Sequence, residues 1–132
     1  MKISASLKSN YNHHDIVVKT DETSKEMQIL PQPTGFGLSV SGAELLLGSL
    51  GTSFCNDFYR EAARQNMSVS GVEVIFNGEF GREGKPGTNF NYQAHVIAEA
   101  SASEIEGLIT YTDQIAAIHN TLRKGVPITL TN

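Results

Sequence analysis

The sequence predicts one α+β domain spanning residues 1–132, with antiparallel strands packed on a long central helix and a second helical segment near the C-terminus. Three observations lead there. Apolar residues alternate with polar ones in "ISASL" and in two longer stretches after residue 70. A helix-period apolar pattern follows Ser41. The strands come in hairpin runs rather than alternating singly with helices, which gives an α+β layer architecture instead of a doubly wound sheet.

The N-terminal 30 residues read as three short strands: Ile3-Ala5-Leu7, then "DIVVKT", then "EMQIL", with "DETSK" as the intervening turn. The Pro- and Gly-rich loop "PQPTGFGLSVSG" ends at Ser41, which with Glu44 forms the S-x-x-E pattern of a capping box. A helix is expected from about Gly42 to Gln65. Two strands follow, "GVEVIFNGEF" and "NFNYQAHVIAEA", joined by "GREGKPG" as a hairpin loop. In the first, Val72, Val74, Phe76 and Phe80 share a face; in the second, Phe90, Tyr92, Ala94, Val96 and Ala98 do. The second helical segment opens at Ser101 or Ser103, capped by Glu104 or Glu106, and runs to about Lys124 with room for one break. Gly125 supplies the stop, and "VPITLT" reads as a last strand.

Composition bounds the function. Apolar residues make up 39% of the chain and charged residues 18%, an ordinary globular balance. A net charge of −4 with no Lys/Arg block argues against a nucleic-acid partner. No apolar run approaches the ~20 residues of a membrane span, and "ISASLKSN" lacks the apolar core of a secretory signal. A single cysteine allows no internal disulfide, so a reduced, cytoplasmic setting is expected.

Two side chains on the first helix attract a nucleophile reading, Ser53 and Cys55. At about 100° per residue, with Leu50 as origin, Cys55 falls near 140°, at the edge of the apolar sector, and Ser53 near −60°. Ser53 shares its stripe with Asp57, Arg60 and Arg64. The two candidates therefore face different ways. Cys55 is expected to pack as a small apolar residue, about three turns from the helix N-terminus that would lower its pKa. "GTSFC" lacks the second Gly of a nucleophile elbow. Gly35-x-Gly37 has no third Gly at residue 40 and no strand-to-helix context, so no dinucleotide site is expected. His13, His14, His95 and His119 have no metal-ligand spacing and read as unrelated. No cofactor or metal is expected. Glu44 has a sufficient role as a cap, with a site carboxylate as the alternative.

The segment "SGAELLLGSLGTSFCNDFYREAARQN" resembles the central helix of the OsmC/Ohr family, whose members read like P-x-E-L-L-L-A-A-L-G-A-C-L-A-M-D there. "TGFGLSVSG", the two long strands and "AAIHNTLRKGVPITL" follow the family's order, so the likeness covers nearly the whole chain. The resemblance implies an intertwined homodimer. It also implies reduction of organic or lipid hydroperoxides by an attacking and a resolving cysteine, with an Arg and a Glu assisting. Carried over residue by residue, the attacking position is Ser53 and the resolving position is Ala116. The assisting Glu position is Ala43, with Glu44 one residue later, and the N-terminal strands contain no Arg. The resemblance thus implies a relative without two-cysteine chemistry. Such a chain would bind a small lipophilic or hydroperoxide-like ligand at the dimer interface, near Ser53, Glu44 and Ala116. The alternative is a one-cysteine thiol peroxidase using Cys55 and an external thiol.

Overall fold

A computed structural model describes residues 1–132. The elements run β1 (Ile3–Asn10), β2 (His13–Thr20), β3 (Thr23–Met27), α1 (Gly42–Arg64), β4 (Ser68–Glu79), β5 (Thr88–Glu99), α2 (Ala102–Ile115) and α3 (Ala117–Lys124). Contacts divide the chain into two compact units, residues 1–45 and 46–132.

The first unit is a three-stranded antiparallel meander, β1-β2-β3. Asn10 pairs with His13 and Thr20 with Thr23, leaving two-residue turns. Asn12 and Asp21 take positive φ in those turns, a conformation Asn and Asp tolerate better than most residues. The Asp21-Glu22 turn is shorter than the expected "DETSK", so β3 begins at Thr23 and ends at Met27, with Gln28–Leu30 outside it. The Pro/Gly loop is closed by hydrogen bonds from the Gln32 amide to the Gly37 carbonyl (3.0 Å) and from the Asn12 amide to the Gly35 carbonyl (2.7 Å). Gly35 has φ +85°, and a Cβ there would lie 2.5 Å from Asn12 Oδ1, so the position admits no side chain.

The second unit sets α1, α2 and α3 with the β4–β5 hairpin. Its core is Phe54, Phe58, Ala62 and Leu108, with Val69, Val72, Val74, Phe76, Tyr92, Ala94 and Val96 packed against them. Val69 and Val72 are three apart yet both face this core, because β4 bulges between Val69 and Gly71. The extra residue restores the two-residue period. Phe80 falls past the end of β4 and packs on Phe90, ring centroids 5.7 Å apart, rather than on the core. Glu61, in the apolar sector of α1, is only 5% exposed and accepts hydrogen bonds from Arg60 Nε (3.2 Å) and Arg64 Nη1 (2.7 Å).

The starts of α1 and α2 follow the capping-box chemistry, whereas α3 starts after Ala116 with no side-chain cap. The Ser41 amide donates to Glu44 Oε1 (2.9 Å) and the Glu44 amide to Ser41 Oγ (3.1 Å); Ser101 and Glu104 repeat the arrangement. The second helical segment breaks at Ala116, whose ψ of 103° is extended. Asn120 Nδ2 takes up the Gln114 carbonyl that the break frees (3.0 Å). Gly125, at φ 66°, ends α3.

The expected final strand over "VPITLT" does not form. Val126, Ile128 and Leu130 are 53%, 99% and 84% exposed, and no strand of this chain pairs with them. Alternating β-branched residues favour an extended chain, but a strand exists only where a neighbour takes its N–H and C=O groups.

Candidate functional site

Ser53 and Cys55 are both half-buried. Desolvation pushes the Cys55 thiol up from its ordinary pKa, with no cation to oppose it, so the thiolate is disfavoured. Glu44 is exposed and engaged in the Ser41 cap, which holds its carboxyl below the usual value through hydrogen bonds from the Ser41 backbone and side chain. Ala116 is fully buried at the α2–α3 junction.

A different group gathers in the second unit. Leu50 of α1, Phe76 of β4, Phe90, Asn91 and Tyr92 of β5, and His119, Leu122 and Arg123 of α3 line a cavity of about 150 Å³. None of Ser53, Cys55, Glu44 or Ala116 is on its wall. His119 is the one buried residue of α3. Its ring stands nearly perpendicular to Phe76 (centroids 5.4 Å, 83°) and to Tyr92 (5.1 Å, 82°), with Phe54 at 6.2 Å. Phe76 and Tyr92 are stacked, 4.4 Å apart at an interplanar angle of 5°. Neither nitrogen of His119 has a hydrogen-bond partner.

Beside this cage the Tyr92 hydroxyl donates to Asp113 Oδ1. Arg123 Nη2 reaches the same oxygen at 2.7 Å, and Arg123 Nη1 reaches the Asp113 carbonyl and Asn120 Oδ1, each at 3.1 Å. Desolvation and the bond to Asp113 both raise the Tyr92 pKa, keeping the phenol protonated. Desolvation also pushes Asp113 upward, but the hydrogen bonds from Tyr92 and Arg123 outweigh it and its pKa is lowered. Tyr92→Phe removes a donor from a carboxylate that keeps Arg123, so the expected cost is about 1–2 kcal/mol, read by chemical denaturation.

His119 is held below its ordinary pKa of 6.5, first by desolvation and then by Arg123; Asp113 and Asp57 oppose the shift. It is therefore neutral at neutral pH. As pH falls below about 6.5 the unfolded chain binds this proton before the folded one does, so stability falls with pH, by up to about 1.4 kcal/mol per unit. His119→Phe should remove that component of the slope, measured as unfolding midpoints between pH 7 and 5.

The matched family model, OsmC-like protein, covers residues 35–131. The chain belongs to the OsmC-like protein family. Similar solved structures include an OsmC-like protein of Mycoplasma pneumoniae, with TM-score 0.61 and 18% identity over 93% of this chain and 89% of that one. An OsmC-like protein of Vibrio cholerae gives 0.60 and 14% over 92% and 93%. The organic hydroperoxide resistance protein OsmC of Legionella pneumophila gives 0.57 and 13% over 93% and 90%. No curated protein matches in sequence. At these identities the structures show the OsmC-like fold, α+β with antiparallel strands. No helix of this OsmC-like chain is long and apolar enough to cross a membrane.

The His119–Tyr92–Asp113–Arg123 group is not legible as a unit in the sequence. Its one local signal is the four-residue spacing of His119 and Arg123, which puts both on one side of α3. Tyr92 was legible as an inward residue of β5, but nothing along the chain joins it to Asp113.

Proposed function

We propose that this OsmC-like protein binds a small lipophilic molecule and does not act as a two-cysteine peroxidase. The carrying observation is the cavity walled by Leu50, Phe76, Phe90, Tyr92 and Leu122, an apolar recess with only a few polar groups. Ser53 and Ala116 stand at the attacking and resolving positions of the family's hydroperoxide chemistry. A serine hydroxyl is not oxidised by a peroxide and is scarcely ionised at neutral pH. The alternative, a one-cysteine peroxidase at Cys55, needs a thiolate, and burial works against one there.

A homodimer supplies the rest of the proposal, with the ligand held near the subunit interface. Its support is the uncovered apolar surface: Ile3 and Leu7 on β1, and Ile128 and Leu130 in the C-terminal segment, are all more than half exposed. A second copy offers these residues cover and gives "VPITLT" a strand neighbour. A reducing cytoplasm suits a chain with one unpaired thiol.

The test is calorimetric titration with toluene, a single apolar ring matched to a cavity of about 150 Å³, with native mass spectrometry reading the loaded species. Saturable binding, with a dimer as the loaded species, is expected. Absence of saturable binding would contradict the proposal.

A further inference from the structure

The cavity against α3 has a floor and a mouth. Leu50 and His119, 4% and 5% exposed, close its inner end. Phe90 and Leu122, 39% and 40% exposed, are the apolar residues at its opening. Phe90 is the larger of the two, and its placement on β5 departs from regular strand pairing.

Asn77 pairs with Asn91 and Glu79 with Thr88, so Asn89 and Phe90 together face Gly78 alone. This is a β-bulge with its extra residue on β5. Asn89 carries it at φ 55°, a conformation Asn adopts more readily than most residues. Asn89 Nδ2 donates to Glu79 Oε2 (3.0 Å), and the Asn89 carbonyl accepts from Asn91 Nδ2 (3.1 Å), which pins the bulge in place. Side chains two apart share a face of a strand, so Phe90 keeps the face of Tyr92 and Gly78 that of Phe76.

The Phe90 ring consequently lies across Gly78. A Cβ there would sit 2.6 Å from Phe90 Cε1 and 2.7 Å from Phe90 Cδ1. A Cβ at Gly87 would meet Phe90 Cε1 at 2.9 Å and Phe80 Cζ at 2.6 Å. Two glycines thus leave the room that the ring fills, and Phe80 braces it with ring centroids 5.7 Å apart. Bulges beside binding sites serve to re-aim a side chain. The one aimed here stands at the opening of a cavity of about 150 Å³, room for one benzene-sized ring.

We propose that Phe90, seated on Gly78 by the bulge at Asn89, sets the size limit of this site and confines it to lipophilic molecules of single-ring width. This rests on the reading that the protein binds a small lipophilic molecule, and it names the residue that selects among such molecules.

The test compares toluene with naphthalene on the full chain, through ligand-induced amide shifts in heteronuclear NMR spectra. The unsubstituted protein should bind naphthalene at least about tenfold more weakly than toluene, since a second fused ring overpacks the site. Phe90→Ala should bring naphthalene to the toluene affinity or beyond it, with Phe90→Leu between the two. Phe90 lies outside the buried core, so both variants keep the fold. Gly78→Ala pushes the ring off the sheet toward the cavity and should weaken toluene about tenfold. The same change made together with Phe90→Ala should have no effect on toluene, because the ring it displaces is gone. Equal affinity of the unsubstituted protein for the two probes overturns the proposal. So does a probe preference that Phe90→Ala leaves unchanged, or a Gly78→Ala effect that persists without Phe90. If toluene binds and these ratios do not move, the size limit fails and the general lipophilic reading stands. If neither probe binds, both fail.

Discussion

Phe54→Ala should lower the free energy of unfolding by about 3–5 kcal/mol, the range for removing a fully enclosed aromatic side chain. Phe54 has no exposed surface and touches three layers of the second unit. Its ring stacks on Phe58 of the same helix at 6.0 Å, meets Tyr92 of β5 edge-on at 5.4 Å, and lies 6.2 Å from His119 of α3. Truncation leaves a void between elements that cannot all close on it, so a cavity term adds to the lost transfer energy. Against a typical total of about 5–15 kcal/mol, one such change removes much of the stability. Phe36→Ala, at a ring 64% exposed, is the control and should cost well under half as much. Urea unfolding reads both; a lowered midpoint with an unchanged slope for Phe54→Ala is the expected pattern.

What the sequence made legible was local. Ser41 with Glu44, and Ser101 with Glu104, marked two helix starts because a cap is made by residues three apart. The 3.6-residue period put Phe54 and Phe58 inside and Cys55 at the margin, and the two-residue period put Val72, Val74 and Phe76 on the inner face of β4. The illegible parts depend on chain segments far apart. Tyr92 and Asp113 are 21 residues apart, and only the packing of β5 beside α2 makes them a hydrogen-bonded pair. His119 looked like one histidine among four, since nothing in "AIHN" reveals that three aromatic rings from α1, β4 and β5 enclose it. The "VPITLT" segment has strand composition without a partner in its own chain, so periodicity alone overstated it.

The second large effect concerns chemistry that the OsmC-like framework carries elsewhere and this chain is proposed to lack. Peroxide reduction by thiols begins with a thiolate attacking the O–O bond, and recycling needs a second thiol to resolve the sulfenic acid. Here the sequence supplies one cysteine, half-buried on α1, with its pKa raised. At neutral pH even an ordinary thiol is only a few per cent ionised, and Cys55 falls below that. Reaction of Cys55 with peroxide should therefore be slow, and any sulfenic acid formed has no resolving partner in the chain.

The most direct measurement is consumption of cumene hydroperoxide by the full-length protein with excess dithiothreitol at pH 7, beside a Cys55→Ala variant. The account predicts rates at the buffer background for both proteins, and intact mass unchanged at Cys55. Catalytic turnover well above background that disappears in Cys55→Ala would contradict it and establish Cys55 as a peroxidatic thiol.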